Sequence, residues 1–307
     1  MKIILTTFII SFSSIFTFGN NIWANDFSKV DSISRLVRPI GNIEKLSKKL
    51  TSPFKENVQK YRAIYTWIST HIKYDCVGLK DLEKRENDPV KVIKRKKAVC
   101  EGYSTLFKQL CAHSNLKCEI IRGWTHNNEN LIGTPLEDKI THSWNAISLN
   151  GQWQLIDVTW GAGFTQNNNT SFVFSFNDYY FCTPPTLFSY EHYPESPKWL
   201  LGSEILKDEF RNQPRYYGNA IKQELTNLNL TNGILNFNTS DSLSFSFNTT
   251  EHVTRISIGE RGNNKSETVP FQVNNDKVSF SYTPKKYSEF LIIYLNNQGI
   301  LIYKLNK

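Results

Sequence analysis

The sequence predicts an α+β protein in two parts: a helical layer packed on an antiparallel sheet, followed by a small all-β sandwich of immunoglobulin-like (Ig-like) type. Apolar residues recur at helical spacing over residues 54–72. Two strand-like runs, 141–149 and 152–160, are joined by Asn150-Gly151, the dipeptide typical of a two-residue hairpin turn. In the last third of the chain the helical period gives way to short alternating runs separated by polar turns.

Length and composition fit a folded protein of two domains. The 307 residues include 39% hydrophobic and 13% aromatic residues, enough for a sizeable core, and too few Gly and Pro for a collagen-like chain. We predict a signal peptide over 1–24 and a first domain over 25–215, which has a polar lead-in and an aromatic extension. The β-sandwich domain is predicted over 222–307.

The first two dozen residues have the form of a secretory signal peptide. Lys2 supplies a positive start, residues 3–18 are mostly apolar, and Ala24 is a small residue before the acidic Asp26. The apolar run is too short, and too often interrupted by Ser and Thr, to predict a stable membrane span. We therefore expect a secreted, periplasmic or otherwise extracytoplasmic protein.

Local signals place the remaining elements in order. Ser52 and Pro53 predict the start of the helix over 54–72, and Asp88-Pro89 predicts the start of a second helix. A third helix begins near Cys100, and a strand over 116–124 precedes the hairpin. The expected strands of the sandwich are 235–237, 243–247, 253–258, 269–273, 278–282, 290–295 and 300–303.

The charge pattern argues against nucleic acid as a partner. Lys and Arg total 36 against 28 Asp and Glu, a formal charge of +8 that is spread along the chain. The one dense basic run, residues 91–97, has no zinc spacing, RNP-type aromatic motif or arginine-rich arm beside it. The histidines show no metal-ligand spacing, so no metal and no cofactor are predicted.

Cys100 is the strongest candidate for a nucleophile. It stands at the predicted first turn of a helix, where unpaired backbone N–H groups favour negative charge and lower a thiol pKa from about 8.5 to roughly 3.5–7.5. The other cysteines, Cys76, Cys111, Cys118 and Cys182, lack this context and are interpreted as packing residues or disulfide partners.

The hairpin brings a base and an acid to one face. With a two-residue loop the paired positions sum to 301, so His142 faces Thr159 and Trp144 faces Asp157. His142 and Asp157 are then diagonal neighbours whose side chains are within reach of each other. A nucleophilic thiol needs such a base and a group that orients it. The alternative is a solvent-facing His near an acid that merely caps a strand.

These residues carry a resemblance to the transglutaminase-like superfamily. The blocks V-C-E-G-Y-S from Val99, H-S-W-N-A from His142 and D-V-T-W-G-A-G from Asp157 resemble its papain-related core. The match runs from about residue 55 to 215 and is similar to the branch that contains kyphoscoliosis peptidase and cytokinesis protein 3. Further blocks that fit this branch are Trp67-Ile68, residues 72–75, residues 180–185, residues 192–194 and residues 198–201.

The resemblance implies a cysteine peptidase or acyltransferase that works through a thioester. In this family the order of the catalytic triad is Cys, His, Asp, which implies Cys100, His142 and Asp157. The N–H of Cys100 is the natural first oxyanion donor, and Trp67 or Tyr74 is a candidate for the second. Together with Trp67 and Tyr74, Trp144 and Trp160 are also candidates for lining a substrate cleft. Each of these four aromatic residues has core packing as its alternative.

We therefore expect an exported enzyme that cleaves or transfers acyl groups at protein or peptide amides, most simply a peptidase or amidase. Crosslinking to an amine acceptor is the alternative reaction. The alternative of another class is a non-catalytic binding or adhesion protein on the same scaffold. A protein partner that binds through the β-sandwich fits either class.

Overall fold

Six α-helices precede the first long strand in the computed structural model, which describes residues 22, 25–237, 241–261, 266–285 and 288–306. The side chain of Asn42 accepts the N–H of Lys45 at the start of the second helix, and Asp88 accepts that of Lys91 at the start of the fifth. Such caps satisfy N–H groups that lack a partner within the helix. The helices are α1 (Ser28–Arg35), α2 (Ile43–Thr51), α3 (Asn57–His71), α4 (Cys76–Lys80), α5 (Pro89–Arg95) and α6 (Cys100–Ala112).

The third helix begins at Asn57, later than the sequence predicts. Ser52 ends α2 instead of starting α3, because its N–H donates to the carbonyl of Lys48. The second helix extends this far since Leu46 and Leu50, one turn apart, are both fully buried.

An antiparallel five-stranded sheet lies against the helices. Its strands are β3 (Cys118–Thr125), β4 (His142–Leu149), β5 (Gln152–Ile156), β8 (Phe181–Thr183) and β9 (His192–Pro194), in the order β8-β5-β4-β3-β9. Helices α2, α3 and α6 share one buried apolar cluster with this sheet. The helical part packed on an antiparallel sheet is thus confirmed.

Two small strand pairs flank this sheet. A parallel pair, β1 (Lys73–Tyr74) and β2 (Lys97–Ala98), leads into the start of α6. A hairpin of β6 (Gly163–Gln166) and β7 (Ser171–Phe174) follows the central strands. The later helices are α7 (Pro185–Phe188), α8 (Lys207–Asn212) and α9 (Gly218–Lys222).

The C-terminal region is all-β and forms two sheets around a second apolar cluster. The strands are β10 (Arg215–Tyr216), β11 (Ile234–Asn236), β12 (Leu243–Asn248), β13 (Ile256–Glu260), β14 (Glu267–Val269), β15 (Phe271–Asn274), β16 (Lys277–Tyr282), β17 (Phe290–Leu295) and β18 (Gln298–Asn306). One sheet has the order β10-β18-β17-β13-β14, with β11 also pairing with β18, and the other has the order β12-β16-β15. The prediction of a C-terminal sandwich is confirmed.

One predicted strand, 269–273, is two strands in the structure. β14 pairs with β13 in the larger sheet, whereas β15 pairs with β16 in the smaller sheet. Pro270 lies between them, and its ring nitrogen cannot donate a ladder hydrogen bond. The chain therefore changes sheets at this residue.

Two predictions about the ends of the domains stay predictions. The signal peptide over 1–24 lies outside the described residues, except for Ile22. None of the helices that the structure describes is long and apolar enough to cross a membrane. At the other boundary, β10 lies in a sheet of the sandwich although the first domain is predicted to extend to residue 215.

Candidate active site

Cys100 is the first residue of α6, as the sequence predicts. Its N-cap, Val99, has extended backbone and no side-chain cap, so the first N–H groups of the helix remain available near the thiol. The short pair of β1 and β2 fixes the chain just before this helix. Cys100 is partly exposed, and all five cysteines of the chain are unpaired.

His142 opens β4, and Asp157 directly follows β5. The register has Asn145 opposite Ile156 and Leu149 opposite Gln152, the spacing expected for a two-residue loop. Asn150 and Gly151 have φ of 52° and 83°, the left-handed conformation that a type I′ turn requires. The structure thus brings His142 and Asp157 together: Nε2 of His142 donates to Oδ2 of Asp157 over 2.7 Å.

Asp157 is fully buried and holds its charge through hydrogen bonds. Its Oδ1 accepts the backbone N–H groups of Thr159 and Trp160 at 2.8 and 3.0 Å. Its Oδ2 accepts from His142 and, at 2.9 Å, from Nε2 of His192. Burial acts to raise the pKa of this carboxyl, but His142 and His192 outweigh it and hold the pKa well below its usual range.

The same interactions prepare Cys100 and His142 for an ion pair. Burial lowers the pKa of His142, but the charge and hydrogen bond of Asp157, together with Cys100, outweigh it and raise the pKa to about 10. Burial raises the pKa of the Cys100 thiol, and the hydrogen bond from His142 and the N–H of Ser143 reverse this, so that the pKa is lowered. Because Asp157 occupies Nε2 of His142, Nδ1 is the nitrogen left to face Cys100.

Two of the predicted cleft residues, Tyr74 and Trp160, lie near Cys100 and His142, and their role in a cleft stays a prediction. Tyr74 is partly exposed, and burial together with the nearby Cys100 thiolate raises the pKa of its phenol, which keeps the hydroxyl as a donor. Trp160 is also partly exposed, and its ring centroid lies 5.5 Å from that of His142.

The other two aromatic residues are not cleft residues, and these predictions are wrong. Trp67 is fully buried and its indole N–H donates to the carbonyl of Val37 at 2.8 Å, so it cannot serve an oxyanion. Trp144 is 2% exposed and packs between His142 and Phe188 in the core. Alternation along β4 puts Trp144 on the face of His142, but deeper in the sheet.

His192 is a site residue that the sequence analysis missed. Its sequence context shows no metal-ligand spacing, although it lies in the His192-Tyr193-Pro194 block that fits the branch that the sequence resembles. Its contact with Asp157 depends on β9 pairing with β3, where His192 lies opposite Thr125. No local period or turn signal predicts a pairing over that separation. The H-Y-P block itself was the available signal.

The donor atoms of His142, Asp157 and His192 lie within 4.8 Å of one another, close enough in principle to hold a metal ion. The two N–O distances, 2.7 and 2.9 Å, are those of hydrogen bonds. All three side chains are buried, with 7% exposure at most. These two hydrogen bonds account for the closeness of the three side chains without an ion.

Comparison with known proteins agrees with this geometry. Residues 44–158 match the family model of the transglutaminase-like superfamily. Kyphoscoliosis peptidase of Mus musculus is 30% identical over 175 residues, covering 57% of this chain and 26% of that protein. Hillarin of Drosophila melanogaster is 30% identical over 181 residues, covering 55% and 22%. Cytokinesis protein 3 of Schizosaccharomyces pombe is 26% identical over 192 residues, covering 59% and 20%.

The resemblance to the branch of kyphoscoliosis peptidase and cytokinesis protein 3 is thus confirmed. The chain spans about a quarter or less of the length of these relatives. The matched region contains Cys100, His142 and Asp157. The part of the chain that holds these three residues is therefore similar to the transglutaminase-like superfamily.

Proposed function

We propose that this chain is a cysteine enzyme that cleaves amide bonds of protein or peptide substrates through a thioester. The observation that carries the proposal is the hydrogen-bonded series from Cys100 through His142 to Asp157. In this series the pKa of the thiol is lowered and that of the imidazole is raised to about 10. A thiolate paired with an imidazolium is the reactive form of a nucleophilic cysteine.

In the proposed reaction, the Cys100 thiolate attacks the amide carbonyl and a tetrahedral oxyanion forms. The N–H of Cys100 and the hydroxyl of Tyr74 are the proposed donors to that oxygen. The imidazolium of His142 gives its proton to the leaving amine as the C–N bond breaks, leaving a thioester. Neutral His142 then takes a proton from water, whose oxygen attacks the thioester and releases the acid and the thiol.

Asp157 has two tasks in this scheme. Its hydrogen bond fixes the His142 ring with Nε2 towards the carboxylate, and its negative charge stabilises the imidazolium that forms at each step. The carboxylate itself need not change protonation, because His142 and His192 hold its pKa well below its usual range.

Alkylation with iodoacetamide, followed by peptide mapping, tests the proposal without a known substrate. Cys76 is the matched internal control: it is partly exposed like Cys100, but burial raises its pKa and no imidazole contributes to it. At pH 6–7 we expect Cys100 to react at least about tenfold faster than Cys76, because the thiol with the lower pKa has the larger thiolate fraction at that pH.

The variant His142→Gln separates a triad from a merely accessible thiol. It should bring the alkylation rate of Cys100 down towards that of Cys76, because the imidazolium that stabilises the thiolate is gone. Equal rates for the two thiols in the unmodified protein would overturn the proposal. They would favour the alternative in which the domain is a non-catalytic binding or adhesion scaffold.

The thioester can react with water, which gives hydrolysis, or with an amine, which gives crosslinking. We propose hydrolysis. Mass spectrometry of peptides incubated with the protein and a primary amine distinguishes the two products.

We also propose that the protein acts outside the cytoplasm, since residues 1–24 have the form of a signal peptide. An intact mass that lacks these residues is the expected observation.

A further inference from the structure

The Asp157 carboxylate has a second imidazole neighbour that the reaction scheme above does not use. His192 is the first residue of β9, and its side chain is completely buried. Its Nε2 lies 2.9 Å from Oδ2 of Asp157, the oxygen that also accepts from His142. An ionised carboxylate only accepts hydrogen bonds, so His192 must carry its proton on Nε2 and donate.

The four donors divide evenly between the two carboxylate oxygens. Thr159 and Trp160 hold Oδ1 through backbone N–H groups. Those bonds hold one end of the carboxylate, whereas the two imidazoles hold Oδ2 at the other end. If His192 were absent, His142 would be the residue that holds Oδ2, although Oδ2 is the atom that has to orient the His142 ring. His192 lies on a different strand, β9, and holds Oδ2 independently of His142.

His192 donates without adding charge. Burial lowers the pKa of its imidazole to about 4, although the hydrogen bond to Asp157 acts in the opposite direction. At neutral pH the ring is therefore uncharged and leaves the negative charge of Asp157 available to His142. A cationic side chain in this place would compete with the His142 imidazolium for that charge.

The other titratable groups around Asp157 do not supply a competing positive charge. Burial raises the pKa of Glu191 to about 8 and raises the pKa of the surrounding tyrosines, so these groups are mainly protonated and neutral near pH 7. The groups in question are Glu191, Tyr65, Tyr74, Tyr103 and Tyr180.

The ring of His192 is itself held firmly. Phe188 stacks on it with a centroid distance of 4.0 Å and an interplanar angle of 22°. The ring of Trp160, which is partly exposed, has its centroid 4.5 Å from that of His192. These rings exclude water from the Asp157 carboxylate, so that a direct hydrogen bond from His192 is not replaced by one from solvent.

We propose that His192 is a positioning residue of this site: it fixes Oδ2 of Asp157 in the place from which that oxygen orients and charges His142. The inference rests on the function proposed above. It adds a fourth side chain, from a strand outside the matched family region, to the three that the sequence predicts.

The experiment compares three substitutions at this position in the full chain. His192→Phe keeps the aromatic packing and removes the donor. His192→Gln places an amide N–H close to the position of Nε2, and His192→Asn has an amide too short to reach Oδ2. The matched control is His126→Phe, since His126 is also a fully buried imidazole but makes no contact with Asp157 among the described residues.

Two measurements report on the site without a substrate: the pKa of His142 by NMR of ¹⁵N-histidine-labelled protein, and the alkylation rate of Cys100 at neutral pH. For His192→Phe and His192→Asn we expect the pKa of His142 to fall by about one unit and the rate to fall about tenfold. His192→Gln should restore both values to near those of the unmodified protein, and His126→Phe should leave both unchanged.

The outcomes separate this inference from the proposed function. A fast Cys100 in the unmodified protein, with the pKa of His142 unchanged or raised in His192→Phe, would overturn the role of His192 and leave the proposed function standing. A Cys100 no faster than Cys76 would overturn both. If His192→Phe does not fold, equal values for the Gln and Asn variants would refute the inference, and a difference in the expected direction would support it.

Discussion

Asp157 is the residue on which the electrostatics of the site depend. It is fully buried, yet it stays ionised because two backbone N–H groups and two imidazoles donate to it. A buried carboxylate with fewer donors would tend to take up a proton instead. Its charge in turn holds the pKa of His142 at about 10.

The substitution Asp157→Asn should impair the chemistry far more than the fold. The amide NH₂ would face the N–H groups of two imidazoles, so His142 would shift its proton to the nitrogen that faces Cys100. In a serine-protease triad the equivalent change lowers turnover about 10⁴-fold. In Asp157→Asn we expect turnover to fall about 10³-fold. The pKa of His142 should fall from about 10 to 6.5 or below.

The pH dependence of Cys100 alkylation and the melting temperature check this prediction together. Both neutral imidazoles can change tautomer, so the melting temperature should fall by only a few degrees. Complete unfolding of Asp157→Asn, with a biological effect that survives Cys100→Ala, would contradict it and indicate that the site is structural.

At the scale of elements, the site depends on how closely β9 approaches β3. Gly123 in β3 pairs with Pro194 in β9, and a Cβ atom at this position would lie 2.1 Å from the carbonyl oxygen of Tyr193. It would also lie 2.7 Å from the ring of Trp144. Only glycine leaves room for this approach, which brings His192 to Asp157.

Gly123→Ala should therefore move β9 away from the sheet and weaken the site together with the fold. We expect a destabilisation of about 2 kcal/mol or more, since overpacking a close contact typically costs 1–3 kcal/mol. The alkylation rate of Cys100 should fall with it, as in His192→Phe. Urea unfolding and alkylation measure the two effects.

Gly41→Ala is the control, because nothing lies within 4 Å of a Cβ atom built at Gly41 and its φ is not positive. It should leave both quantities close to their original values. A Gly123→Ala protein as stable and as reactive as the control would show that β9 need not lie so close to β3.

In the whole molecule, the part of the chain that holds the candidate site and the C-terminal sandwich share an interface. Glu129 pairs with Arg215 and Arg261 of the sandwich, each over 3.1 Å, and β10 joins β18. His126 lies at the domain side of this junction, fully buried, with its ring 5.8 Å from that of Phe210. Burial and the charges of Arg211 and Arg215 lower its pKa to about 3.

This histidine should make the protein sensitive to acid. The unfolded chain takes up a proton at His126 near pH 6.5, but the folded chain does so only near pH 3, so stability is lost as the pH falls between these values. His192, with a pKa of about 4, lowers the stability of the protein in the same direction. Glu191 acts in the opposite direction: its pKa is about 8 in the folded chain, so the protein gains stability as the pH falls from 8 to 4.5.

We therefore expect His126→Phe to reduce the loss of unfolding free energy between pH 6.5 and 4 by about 1.4 kcal/mol per pH unit, the value for one proton. Urea unfolding at several pH values measures this slope. His113→Phe changes an exposed imidazole at the end of α6 and should keep the original slope. An unchanged slope in His126→Phe would mean that His126 is already charged in the folded protein.

Features that depend on neighbours a few residues apart could be predicted from the sequence. The start of α6 at Cys100 follows from its local pattern, and the shared face of His142 and Asp157 follows from the parity of a two-residue hairpin. The change from helical to alternating period separated the α+β part from the sandwich, because these two periods reflect different backbone geometries.

Contacts between distant segments settle which aromatic residues are buried and which second imidazole reaches Asp157. Trp67 and Trp144 have sequence contexts that suit a cleft, but their exposure depends on the path of residues around Val37 and Phe188. His192 joins the site through the pairing of β9 with β3. Such contacts between distant segments are selected by packing of the whole chain, which periodicity and turn chemistry do not encode.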